Sequence, residues 1–260
     1  MQYTLHQQGK FQYVEEGEGE ALILLHGLFG NMSNFTELIT HFKQHYKVFL
    51  PILPIYELPI FKVNLPNLTH HIEEFVTYKQ LDKVAVVGNS LGGHIALLYT
   101  LQNAHKVSAM ILTGSSGLYE NAMSDSFPKR GNYEFIKEKT EYTFYDPKTA
   151  SKELVDEVYS AVNNREKALR IVSVAKSAIR NNLADQLHNI KTPTLLVWGN
   201  QDRITPPDVA RDFNRLIPHS QLRFIDKCGH APMMEQPDEF NHIMEQFLDH
   251  VFVKTNNTAI

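Results

Sequence analysis

An α/β fold, a largely parallel sheet with helices on both faces, is predicted by three features of the 260-residue chain. Short apolar runs alternate with helix-length stretches, as βαβ units require. The runs are apolar or β-branched along their length and bounded by turn residues, as strands buried on both faces are. Several end in glycine-rich or acid-bearing loops, where open α/β sheets build their sites.

In chain order, residues 3–7 and 11–15 form an opening hairpin, with Gly9-Lys10 as its turn and Gly17 and Gly19 ending the second strand. Antiparallel edge strands belong there. Buried strands follow at residues 21–25, 48–52, 84–87, 110–113, 194–198 and 222–225. Between residues 118 and 188 the strand rhythm stops, and the segment reads as helices broken at Phe127-Pro128, Gly131 and Asp146-Pro147. One of these helices takes Ser151 as its N-cap and aligns Leu154, Val155 and Val158 on a single stripe. No repeat or long linker calls for a second independent domain. Residues 1–260 read as one domain carrying a helical insertion at 118–188.

Composition narrows the function. With 43% hydrophobic and 21% charged residues, the chain can bury a full core. A net charge of -4 leaves no basic excess for nucleic acid, so a small-molecule partner is expected. Cys228 is the only cysteine, which excludes an intramolecular disulfide and suits the cytoplasm. The first ten residues lack a signal-peptide core, and no apolar run approaches membrane-spanning length, so a soluble protein with no membrane partner is expected. It reads as a monomer or homodimer. No cofactor motif is found; His41 and His45 have metal-pair spacing but no third ligand, and they read as a solvated helix face.

The third buried run leads straight into Gly88-Asn89-Ser90-Leu91-Gly92-Gly93, with an amphipathic helix after it from His94. A serine at the tip of such a sharp turn is held in a strained conformation, and side chains two residues either side would collide. Glycines at 88 and 92 meet that demand. A serine hydroxyl is a poor nucleophile at neutral pH, so it needs a histidine base and an acid to orient it. The loop Gly199-Asn-Gln-Asp202 after one strand supplies the acid, and Gly229-His230 after the next supplies the base. Leu91, at the new helix's N-terminus, is the first oxyanion donor. The loop His26-Gly27-Leu28-Phe29-Gly30 offers Leu28 as the second, with Phe29 its neighbour and rival. Asp226 is the weaker candidate acid, His94 a packing residue beneath the turn, and Cys228 a loop-packing residue.

Through His26-Gly27, Gly88-x-Ser90-x-Gly92, Gly199-x-x-Asp202 and Gly229-His230, nearly the whole chain resembles the α/β-hydrolase family. The resemblance implies an eight-stranded, mostly parallel sheet, a helical lid after the sixth strand, and acyl-enzyme chemistry on esters or related carbonyl compounds. Gly88-Asn89-Ser90-Leu-Gly-Gly also resembles the carbon-carbon bond hydrolases of ring-fission products, but those usually carry a tryptophan after the base, where this chain has Ala231. His-Gly-Leu-Phe-Gly looks more like the oxyanion loop of carboxylesterases. Ester hydrolysis is therefore the expected reaction, with carbon-carbon hydrolysis, acyl transfer or a slow-turnover ligand receptor as alternatives. Epoxide and haloalkane hydrolases of this fold normally carry aspartate at the position of Ser90.

Overall fold

Successive side chains of a strand point to opposite faces, so a wholly apolar run feeds two cores at once. A computed structural model, which describes residues 3–30, 32–120 and 129–257, has this layering. In β3 (Glu20–Leu25), Ile23 and Leu25 enter one hydrophobic cluster while Leu22 and Leu24 enter the other. In β5 (Val84–Asn89), Val84 and Val86 divide from Ala85 and Val87 in the same way.

With β1 (His6–Gln8), β2 (Phe11–Glu16), β4 (Tyr46–Pro51), β6 (Val107–Thr113), β7 (Thr194–Gly199) and β8 (Gln221–Ile225), these form one eight-stranded sheet. Its order is β1-β2-β4-β3-β5-β6-β7-β8. The β1–β2 and β2–β4 pairs are antiparallel and every other pair is parallel. The ends of β3, β5, β6, β7 and β8 therefore open on one edge of the sheet.

One face is covered by α2 (Leu65–Tyr78), α3 (Leu91–Gln102) and α7 (Pro207–Leu216). The other is covered by α1 (Thr36–Phe42), α8 (Pro232–Glu235) and α9 (Pro237–Asn257). Between β6 and β7 lie α4 (Tyr133–Glu141), α5 (Lys152–Asn163) and α6 (Arg165–Arg180), and no strand forms among the described residues there. Asn132, Ser151 and Asn164 cap these helices, each accepting a backbone N–H from three residues on. Ile136, Val158, Ala161, Val162 and Ile171 form their own apolar cluster, and Leu28, Phe29 and Tyr56 pack against it. The expected break at Phe127-Pro128 lies outside the described residues. No helix among the described residues is long and apolar enough to cross a membrane.

The structure departs from the sequence reading at several places. β4 starts at Tyr46, because Tyr46 and Lys47 pair with Glu20 and Ala21. β6 starts at Val107, where the ladder with Val84 carries it past the polar Ser108. β1 starts only at His6, while the Tyr3 hydroxyl turns to the Thr40 hydroxyl at 2.6 Å. Helix α3 is not amphipathic: it is buried at every position from Leu91 to Thr100. It lies between the sheet and α2, so the helix has no wet face over that stretch.

Candidate active site

Ser90 occupies the single position between the end of β5 and the start of α3, with φ 55° and ψ -116°. A non-glycine residue holds such a conformation only when its surroundings force it. Here the forcing is backbone against backbone. A Cβ on Gly88 would lie 2.5 Å from Gly92 O, and one on Gly92 would overlap the Leu25 carbonyl. The turn is pinned from below: Ser90 N donates to Thr113 O at 3.1 Å, and Ser90 O accepts from His94 N and Ser116 N, each at 3.2 Å.

Asp202 is buried in the loop after β7, and its carboxylate is fully occupied. Oδ1 accepts from Ile204 N at 2.8 Å and Thr205 N at 2.9 Å, and Oδ2 accepts from Thr205 Oγ1 at 2.9 Å. The buried Trp198 holds the loop in turn, its indole donating to Thr205 O at 2.8 Å. His230 Nδ1 lies 2.9 Å from Asp202 Oδ2. Burial pushes the Asp202 carboxyl pKa up, but the His230 charge and hydrogen bond, with the Thr205 and Ile204 N–H groups, outweigh it. The net effect holds the pKa below the ordinary carboxylate value. With the Nδ1 proton committed to Asp202, Nε2 is the nitrogen left to accept a proton.

The loops carrying Ser90 and His230 both lean on the end of β6, the first on Thr113 and the second on Gly114. Asn89 Nδ2 donates to both Thr113 O and His230 O, each at 3.1 Å. Gly114, with φ +53°, lies against the imidazole so closely that a Cβ there would be 2.8 Å from Cε1 and Nδ1. Among the described residues no hydrogen bond joins Ser90 Oγ to the imidazole. The structure thus brings Asp202 and His230 into direct contact, and links Ser90 to them through its neighbour Asn89, whose amide reaches the His230 carbonyl. Catalytic hydrogen bonds to a serine are commonly long in free enzymes and tighten when substrate binds.

On the other side of Ser90 runs the loop after β3. Gly30 N donates to Gly27 O at 3.0 Å, closing a turn with Leu28 and Phe29 at its corners. A Cβ on Gly27 would lie 3.4 Å from Ser90 Cβ, so this loop abuts the serine. The Leu91 N–H is in the first turn of α3 and has no intrahelical acceptor. His26 anchors the loop, its Nδ1 bonding Gly27 O at 2.8 Å and its Nε2 accepting from Leu53 N at 3.0 Å. Burial lowers its pKa, which suits a neutral ring locked between two backbone groups.

The rival side chains have other partners. Asp226 is exposed and accepts from Gln201 Nε2 at 2.9 Å. His94 is buried, with Nε2 2.8 Å from Asn181 O and Nδ1 3.4 Å from Ser116 Oγ. The Cys228 thiol is buried, and burial together with the Glu235 and Asp202 charges pushes its pKa up, away from the reactive thiolate. His45 lies beyond the end of α1, so it shares no helix face with His41, which faces Glu245 at 3.5 Å.

Three site residues escaped sequence reasoning. Thr205 secures the carboxylate, and its position three residues after an aspartate is the spacing at which side chains bond back to loop backbone. Asn89 ties two strand ends together. Glu235 Oε1 accepts from Gly229 N at 2.9 Å and Ala231 N at 3.3 Å, while Oε2 accepts from Tyr145 N at 2.6 Å. It thereby joins the His230 loop to the segment between α4 and α5. Nothing local in the sequence reveals the bonding role of either of the last two, because their partners are distant backbone groups.

Residues 20–237 match the family model of the alpha/beta hydrolase fold, and the chain belongs to that family. It is an α/β-fold hydrolase. It is 28% identical to a 2-hydroxy-6-oxo-6-phenylhexa-2,4-dienoate hydrolase of Comamonas testosteroni, over 91% of this chain and 90% of the relative. It is also 28% identical to lipase 1 of Psychrobacter immobilis, over 91% of this chain and 80% of the lipase. Among solved structures it is similar to MGS-MChE2, an alpha/beta hydrolase enzyme from the metagenome of Mar Chica lagoon sediments. That likeness has 42% identity, a TM-score of 0.80, and coverage of 95% of this chain and 98% of the other.

Proposed function

We propose that this hydrolase cleaves small carboxylic esters through a Ser90–His230–Asp202 triad and an acyl-enzyme. The observation that carries the reading is the 2.9 Å bond from His230 to a carboxylate held by three further donors, beside a serine with forced positive φ. In the reaction, His230 Nε2 takes the Ser90 proton as Oγ attacks the substrate carbonyl. The Leu28 and Leu91 N–H groups receive the charge on the tetrahedral oxygen. The same imidazole gives its proton to the leaving alkoxide, and water, activated by His230, then releases the acid. Residues 118–188 act as a helical cap over this site, and the packing of Leu28, Phe29 and Tyr56 against the α4–α6 cluster supports that placement.

An ester is favoured over a ring-fission product by the residue after the base. Ala231 is small, with its N–H directed to Glu235, and it provides no aromatic wall. The position before the nucleophile does not discriminate, because the Asn89 amide is spent on Thr113 O and His230 O. Carbon-carbon hydrolysis stands as the second reading, because several relatives are hydrolases of ring-fission products by name and the Gly88-Asn89-Ser90 motif resembles theirs. The two separate in a direct comparison of kcat/KM on p-nitrophenyl esters of graded acyl length and on a vinylogous 1,5-diketone acid. Ester turnover in excess supports the proposal; a preference for the diketone acid of tenfold or more, about 1.4 kcal/mol in transition-state binding, overturns it.

A further inference from the structure

A helix that packs on one side is expected to present polar residues on the other. Helix α6 does not. Its outward positions are Arg165, Leu169, Val172, Lys176, Ile179 and Arg180, with Glu166 the acid among them. Leu169, Val172 and Ile179 are 49%, 40% and 38% exposed.

The segment carrying Ile60 and Phe61 runs beside α6. Arg170 Nε donates to Leu58 O at 3.1 Å, Ser173 Oγ to Val63 O at 2.9 Å, and Leu65 N to Ser177 Oγ at 2.9 Å. Ile60 is 42% exposed and Phe61 is 78% exposed. Apart from tyrosines, the large hydrophobic side chains exposed among the described residues are Leu5, Ile204 and these five. Scattered single exposures are ordinary, whereas five on two adjoining segments form a patch.

The charge of the strip is predominantly positive. Lys62, Arg165, Lys176 and Arg180 are exposed, and among the described residues none of the four forms an ion pair. The acid of the strip, Glu166, is matched by Arg170 at 3.6 Å. This is a local cationic surface on a chain of net charge -4. Apolar side chains rimmed by unpaired cations are the complement of an anionic lipid surface, where the former enter the headgroup boundary and the latter meet lipid phosphates.

We infer that the strip formed by α6 and residues 60–62 docks this hydrolase on anionic membranes as a peripheral protein. Such docking needs no spanning helix, and the described residues contain none. The opposite side of α6 joins the cluster against Leu28 and Phe29 through Ile171, so a docked molecule holds the roof of the proposed site at the lipid surface.

The test is flotation with vesicles of phosphatidylcholine, with and without about a third phosphatidylglycerol, for the wild type and for two double variants. These are Phe61→Ser/Val172→Ser and Lys176→Glu/Arg180→Glu, with folding of each verified by its melting temperature and its turnover of a soluble ester. The wild type should float with the anionic vesicles and much less with neutral ones, and raised salt should release it. The charge variant should bind tenfold or more weakly, since each basic residue near such a surface is worth about a factor of five, and the apolar variant should bind tenfold or more weakly through the loss of apolar area entering the headgroup boundary. Failure of the wild type to float, or equal flotation of the variants, overturns the inference. So does a wild-type dimer in solution that the variants convert to monomer, which would make a second copy the occupant of the strip.

Discussion

The side-chain amide of Asn89 lies 3.1 Å from the carbonyl oxygen of His230, so the residue before the proposed nucleophile holds the backbone of the proposed base. The same amide donates to Thr113 O, the carbonyl that also accepts from Ser90 N. Position 89 therefore sets the spacing between the two loops. Asn89→Ala removes both donors and leaves two buried carbonyls short of partners. The expected result is a fall in kcat of about tenfold to a hundredfold with little change in KM, since about 1–3 kcal/mol of positioning is lost. Steady-state kinetics on one soluble ester measure it, and a change confined to KM would contradict this role.

Asp202→Asn keeps the shape of the loop but replaces the acceptor that fixes the Nδ1 proton. The imidazole is then free to take the other tautomer, with its Nε2 lone pair lost to Ser90. The expected fall in kcat is on the order of a thousandfold to ten-thousandfold. Asp226→Asn, changing an exposed acid bound to Gln201, should leave kcat within about twofold. Equal losses in the two variants would reassign the acid.

Glu235→Gln tests the link between the His230 loop and the α4–α5 segment. Burial pushes the Glu235 carboxyl pKa up, and the Tyr145, Gly229 and Ala231 N–H groups, which pull it down, do not cancel that rise. An amide offers one acceptor oxygen in place of two and sets an NH2 against an N–H. A fall in kcat of about tenfold at nearly constant KM is expected, with the melting temperature lowered by several degrees. An unchanged kcat would make Glu235 a purely structural residue.

Two buried histidines give stability a pH dependence. Burial, assisted by the nearby Lys10 charge, lowers the pKa of His71 to about 4, and burial lowers that of His94 to about 4 against its bond to Asn181. The unfolded chain takes up these protons near pH 6.5, whereas the folded chain resists until about pH 4. Stability is thus full above about pH 6.5 and declines as the pH falls towards 4, each histidine contributing up to about 3 kcal/mol. Melting curves between pH 7 and pH 4 should show the decline, and His71→Phe, beside Phe11, should flatten it. A wild-type profile as flat as that of the variant would remove His71 from the explanation.

Much of this arrangement was legible in the sequence. The runs Leu22-Ile23-Leu24-Leu25 and Val84-Ala85-Val86-Val87 declare buried strands because helices cover both faces of the parallel sheet. Gly88 and Gly92 declare the turn because the backbone at 92–93 and at Leu25 leaves no room for a Cβ. Ser151 announced its helix by the same capping bond the structure contains. Illegible were contacts without local periodicity. Tyr46 and Lys47 are strand residues only because Glu20 and Ala21 lie opposite, and Glu235 is a site residue only because three distant N–H groups converge on it. The helix read as amphipathic from His94 begins at Leu91 and is buried over most of its length, because α2 covers it as well as the sheet, which no single-helix pattern reveals.

The central claim is that Ser90 Oγ is the nucleophile and His230 its base. Intact-mass and peptide mapping after reaction with a fluorophosphonate tests it most directly, on the wild type, Ser90→Ala and His230→Ala. A single adduct on Ser90 in the wild type, none in Ser90→Ala, and labelling slowed at least a thousandfold in His230→Ala are expected. An adduct on another residue, or ester turnover by Ser90→Ala at the wild-type rate, would contradict the account.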